Sequence, residues 1–120
     1  MLLTTSCNQK CIMCPQCLNN DPVNADELLD LFIANFPFAR VDSLYVTGGE
    51  PFLKSSAIDV LIEKVPKNVN IVILTNGTIR PSERLLSLPN VTLCIPLYAS
   101  FDTLHKHLTG SNGFYKTLDN

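Results

Sequence analysis

Three absences narrow what this chain can do. There is no excess of positive charge: 9 Lys and Arg stand against 11 Asp and Glu, a formal net charge of -2 in 120 residues. No large basic surface can be built from that balance, and nucleic acid is not an expected partner. There is no apolar run approaching the roughly 18 residues of a membrane span, and no positive start leading into a signal-like apolar segment. The expectation is a soluble, cytoplasmic chain with no membrane partner. Repeats and low-complexity tracts are also missing. With 46% hydrophobic and 17% charged residues the composition is globular, and the length fits one domain.

Cysteine, by contrast, is concentrated. Of five cysteines, four (Cys7, Cys11, Cys14 and Cys17) fall within eleven residues. That clustering fits metal ligation in a reducing compartment better than a disulfide framework. The fifth, Cys94, sits in an apolar strand and is expected to be a small core residue. The spacing Cys7-x3-Cys11-x2-Cys14 brings three thiolates into one loop. Soft sulfur ligands select zinc, copper(I) or iron–sulfur clusters. A closed zinc site or an ordinary [4Fe–4S] centre takes four protein ligands, so three leave one metal position open. Thiolates at i, i+4 and i+7 can wrap one corner of a cubic cluster, with Ile12 and Met13 limiting water access. Two alternatives use Cys17 as a fourth ligand: a structural zinc module, and an electron-transfer iron–sulfur protein.

After the cysteine loop, apolar strands alternate with helical patterns. Val41–Thr47, Val69–Thr75 and Val91–Tyr98 read as strands, the last marred by Pro96, which cannot donate to a ladder. A helix capped by Asn24 or Asp26 runs to about Phe36, and Pro37 stops it. Phe32, Phe36 and Phe38 are expected to pack helix on sheet. Asp21, Asp26, Glu27 and Asp30 read as a solvated acidic face. Ile58, Leu61, Ile62 and Val65 form an apolar stripe at i, i+3, i+4 and i+7, ended by Pro66. Pro81 opens a shorter helix carrying Leu85, Leu86 and Leu88, and a last helix is expected from about Ser111 or Asn112. With Met1–Thr5 counted as a clipped strand, about four βα units are present. The pattern is α/β with a parallel sheet, either a barrel or an open doubly wound sheet. In both, ligands bind at the carboxyl ends of the strands. Cys7–Cys17, Gly48–Pro51, Thr75–Gly77 and Tyr98–His105 all fall there. Both ends look cut, and residues 1–120 are expected to be a fragment of a larger domain.

Gly48-Gly49-Glu50-Pro51 closes the second strand. Two glycines let backbone approach a ligand. Glu50 offers a carboxylate to an ammonium group, and Pro51 holds Glu50 extended. Cys7-x3-Cys11-x2-Cys14 followed after one helix by Gly48-Gly49-Glu50-Pro51 resembles the radical S-adenosylmethionine (radical SAM) superfamily, over nearly the whole chain. The resemblance implies an incomplete (β/α) partial TIM barrel. It also implies a [4Fe–4S] cluster on Cys7, Cys11 and Cys14, with SAM chelating the remaining iron and its amino group held by Gly48, Gly49 and Glu50. Thr75-Asn76-Gly77 is similar to the family's third-strand end, which makes Asn76 a cofactor-binding candidate. The implied chemistry is reductive cleavage of SAM to a 5′-deoxyadenosyl radical that abstracts a substrate hydrogen. A reductant such as flavodoxin or ferredoxin is implied as partner.

There are departures from the family pattern. Pro96-Leu97-Tyr98-Ala99-Ser100 stands where members often carry a serine and an acidic residue, so Ser100 is the candidate for that SAM contact. Met13 replaces the usual aromatic, and about four of six βα units are present. Thr4-Thr5-Ser6-Cys7-Asn8-Gln9-Lys10-Cys11-Ile12-Met13-Cys14-Pro15-Gln16 is also similar to maturases of the His-Xaa-Ser peptide-modification system, which implies a peptide substrate. His105 and His107 stand at a loop–helix junction with no further histidine, and His105 is expected to cap or pack the fourth unit.

Overall fold

The computed structural model describes residues 1–15 and 25–120. Gln16 to Asn24, with Cys17, Asp21 and the expected Asn24 cap, lie outside the described residues, as do the side chains of Asp26 and Glu27. The β-branched runs form three parallel strands, β1 (Ser43–Val46), β2 (Asn70–Leu74) and β3 (Val91–Cys94), in the order β1-β2-β3. Leu44 lies opposite Ile71 and Val46 opposite Ile73, while Ile71 lies opposite Val91 and Ile73 opposite Leu93. The expected clipped strand is a single parallel bridge, Leu2 to Thr47, beside β1. Leu3 N–H donates to the Thr47 carbonyl at 2.7 Å and Thr47 N–H to that of Met1 at 2.9 Å. Neighbours in space are therefore neighbours in sequence, with no reversal of strand order. Among the described strands this is the order found along a barrel wall. The sheet stays open, consistent with an incomplete barrel-like fold.

Among the described residues, five α-helices accompany the strands: α1 (Ala25–Asn35), α2 (Ser55–Lys64), α3 (Glu83–Leu86), α4 (Asp102–Thr109) and α5 (Phe114–Asp119). Strand side chains alternate between the two faces of the sheet. Leu44, Val46, Ile71 and Ile73 are buried on one face with Ala57, Ile58, Leu61 and Ile62 of α2, Leu29 of α1 and Leu85 of α3. Each such side chain contributes about 1.5–3 kcal/mol on burial. Tyr45, Leu74, Thr92 and Cys94 lie on the other face, which is open. Phe32, Phe36 and Phe38 form a half-buried aromatic cluster, with centroids 4.6 to 6.1 Å apart, at the end of α1.

Three expectations are corrected. Cys94 is exposed rather than a core residue, because the two-residue period of β3 assigns Val91 and Leu93 to the helix side and Cys94 to the open side. β3 ends at Cys94, not Tyr98. Its last rung is Thr75 N–H to the Cys94 carbonyl at 3.1 Å, and Pro96 has no N–H with which to continue. The final helical region is also two helices, since Gly110 (φ 64°) closes α4 in the left-handed conformation and α5 starts afresh at Phe114.

Leu3 is fully buried beneath the N-terminal segment. Leu3→Ala should destabilise the fold by about 2–5 kcal/mol, measured as a lower urea midpoint. Unchanged stability would mean that the bridge beside β1 does not anchor this segment.

Candidate functional site

At the carboxyl ends of the strands lies a cavity of about 410 Å3. Cys7, Cys11 and Cys14 line it together with Gly48 and Gly49 after β1, Leu74 to Asn76 at the end of β2, and Cys94, Pro96 and Tyr98 beyond β3. Separate stretches of sequence meet here because parallel strands end on one rim.

The cysteine loop has little regular structure and is held from outside. Gly49 N–H donates to the Thr4 carbonyl and Glu50 N–H to that of Ser6, both at 2.8 Å, extending the N-terminal ladder to the edge of the loop. Lys10 N–H and Ile12 N–H donate to the Thr109 and Leu108 carbonyls at 2.8 and 2.9 Å. These carbonyls belong to the last turn of α4, where no intrahelical donor remains. The His105–Gly110 segment thus serves as a mount for the cysteines. His105 itself is 1% exposed and packs on Phe114 at 5.4 Å, while His107 is exposed.

The two glycines have a reason other than ligand approach. A Cβ on Gly48 would lie 2.6 Å from the Thr4 carbonyl oxygen, and one on Gly49 would lie 2.2 Å from that of Ser6. Side chains there would push out the strand that delivers Cys7. Glu50 is fully buried and points inward. Its Oε1 accepts from Phe52 N–H at 3.0 Å and the Thr75 hydroxyl at 2.7 Å, and its Oε2 from Asn76 N–H at 2.7 Å. The carboxylate therefore ties the end of β1 to the end of β2.

Asn76 continues this knot to the loop. Its Oδ1 accepts from Thr78 N–H at 3.0 Å and the Thr78 hydroxyl at 2.6 Å, and its Nδ2 donates to Asn8 Oδ1 at 2.8 Å and faces Cys7 Sγ at 3.9 Å. Ser100 is exposed next to α4 and does not line the cavity. Tyr98 does, two residues earlier. Burial lifts its phenol above the usual value, with the negative charges of Cys11, Cys14 and Cys7 adding to the rise. The phenol and the three sulfurs line the same cavity. Sequence reasoning passed over Tyr98 and Gln9, although proximity to Pro96 and to Cys7 was the available signal. Ile12 and Met13 are 67% and 47% exposed, and Met13 lines the cavity beside the cysteines.

The donor set has the chemistry of a soft-metal centre, with three thiols on one wall and N–H groups of Gln9 and Asn76 turned toward Cys7. Among the described residues, no three His, Cys, Asp or Glu side chains are drawn together closely enough to hold a metal ion. The loop thus carries suitable ligands that metal binding would still have to gather. Among the described residues, no helix is long and apolar enough to cross a membrane.

No family model matches the chain. It is similar to the GTP 3′,8-cyclases of two Clostridium perfringens strains, SM101 and 13, with 29% identity over 82 residues, 62% of this chain and 25% of each relative. The GTP 3′,8-cyclase of Limosilactobacillus fermentum is 30% identical over 83 residues, again 62% of this chain and 25% of the relative. The chain spans about a quarter of the length of these curated relatives. They are radical SAM enzymes, and this distant, partial likeness supports a relationship to that superfamily only in general.

Glu50→Gln replaces one acceptor oxygen with an NH2 group opposed to a donor. A hydrogen bond to a charged group is worth about 1.5–3 kcal/mol, so E50Q should lower unfolding stability by that order in urea titrations. A variant as stable as wild type would show that the three donors do not hold the rim.

Proposed function

We propose that this chain is a partial radical SAM core domain, about four βα units of a partial TIM barrel, that binds a [4Fe–4S] cluster and SAM. The observation that carries this reading is the single cavity at the carboxyl ends of consecutive parallel strands, walled by Cys7, Cys11 and Cys14 on one side and Gly48 and Gly49 on another. When bound, the cluster and SAM supply reductive carbon–sulfur cleavage and a 5′-deoxyadenosyl radical for hydrogen abstraction.

In this reading Cys7, Cys11 and Cys14 are the iron ligands and Cys17 is not. Backbone groups of Gly48 and Gly49 border the space for SAM. Glu50 acts first through the rim, since its carboxylate is committed to Phe52, Thr75 and Asn76. Glu50 is buried behind the cavity lining, so its Oε2 meets an ammonium group only where SAM binding uncovers the carboxylate. The Tyr98 hydroxyl offers a polar contact on the β3 side, where Ser100 can join only if the segment after Pro96 turns inward. The substrate is a peptide, as the likeness of the cysteine segment to peptide maturases implies. The electron donor is a flavodoxin or ferredoxin, and the compartment is the cytoplasm.

Anaerobic reconstitution tests the reading. Wild type and Cys17→Ala should each take up about four irons with matching sulfide, and added SAM should change the electron paramagnetic resonance signal of the reduced centre. Replacement of Cys7, Cys11 or Cys14 by Ala should abolish uptake. One tightly held zinc without sulfide, or loss of the centre in Cys17→Ala, would replace this reading with the zinc or electron-transfer alternative.

A further inference from the structure

Two carboxamides stand beside the thiols, and each has its orientation decided by chemistry. Gln9 is 4% exposed. Its Oε1 accepts from the Cys11 thiol at 3.6 Å, while its Nε2 is buried with no acceptor among the described residues. A buried amide NH2 without an acceptor is an unfavourable resting arrangement. The side chain has nearly the same shape either way round, so the state of Cys11 selects the orientation. A thiol donates and draws Oε1. A thiolate only accepts, and a half-turn of the amide would place Nε2 on sulfur. The orphaned donor is thus matched to Cys11 in its metal-binding state.

Asn76 has no such freedom. Both Thr78 donors reach its Oδ1, which obliges Nδ2 to face Asn8 and Cys7. Cys7 Sγ also accepts from Gln9 N–H at 3.4 Å. Two N–H groups from different elements therefore converge on the first sulfur of the loop.

We propose that Gln9 and Asn76 are positioning residues that present N–H donors to the Cys11 and Cys7 thiolates, holding these ligands for metal and tuning the centre they form. As each metal–sulfur bond forms, the S–H bond breaks and its proton leaves to solvent. The amide then takes the place of the lost S–H···O contact at Cys11. Donors to a ligating sulfur withdraw charge from it and favour the more reduced centre. The effect on potential rests on the proposed iron–sulfur function, whereas the effect on thiolate–metal bonding does not.

Gln9→Met keeps length and removes the amide. Asn76→Asp keeps the acceptor for Thr78 and removes the N–H groups toward Cys7 and Asn8, but also adds a negative charge there, so the uncharged Gln9→Met is the deciding variant. Anaerobic titration of the reduced apo-chain with cobalt(II), followed by thiolate-to-cobalt absorption, should show affinity lower by about 10- to 100-fold in each variant, with the urea midpoint little changed. In reconstituted protein the midpoint potential of the centre should move to more negative values. Unchanged cobalt affinity and potential in Gln9→Met would overturn the proposal, and that variant is decisive if Asn76→Asp does not fold. A chain that forms no iron–sulfur centre, yet loses cobalt affinity in these variants, would support the amide role while ending the radical SAM reading. A wild-type chain that binds neither cobalt nor iron would overturn both.

Discussion

The buried carboxylate of Glu50 is the constraint on which the rim depends. A charge with no solvent contact is tolerable only when donors replace its water. Here Phe52, Thr75 and Asn76 do so from two different strand ends. Because Asn76 also bonds Asn8, the position of the cysteine loop is fixed relative to β2 through a single chain of hydrogen bonds. Nothing in the described part of the loop, residues 7–15, could supply that order, since it contains no helix or ladder of useful length.

The loop is consequently a structure assembled by others. The N-terminal ladder delivers it, the last turn of α4 receives it, and Asn76 with Thr78 steadies its flank. The anchors are backbone, amide and hydroxyl groups, and the three sulfurs line the cavity. The same arrangement explains why the rim lacks side chains at Gly48 and Gly49. Any Cβ there would meet the Thr4–Ser6 backbone before it met a ligand.

Much of the fold was legible from pattern. The apolar stripe Ile58, Leu61, Ile62 and Val65 is buried as its spacing requires, and Pro37 and Pro66 stand just beyond the helices they stop. The pattern misled where one residue satisfies two rules: Cys94 is apolar enough for a core but falls on the open face by strand alternation. Which side chains after β3 reach the cavity was not legible either: Tyr98 lines it and Ser100 does not.

By itself the sequence determined which thiols and which strand end meet at the rim. Three thiols at fixed spacing, a Gly-Gly-Glu-Pro strand end and alternating βα units carry local chemistry and local periodicity, which need no partner to be read. Only the tertiary structure decided how these groups serve one another: that Glu50 faces inward, that Gln9 is left with an unpaired buried N–H2, and that Asn76 reaches Cys7. Those relations join residues up to 69 positions apart. Hydrogen-bond direction between them is set by the donors that each rim residue happens to meet, and no periodicity along the chain encodes such meetings.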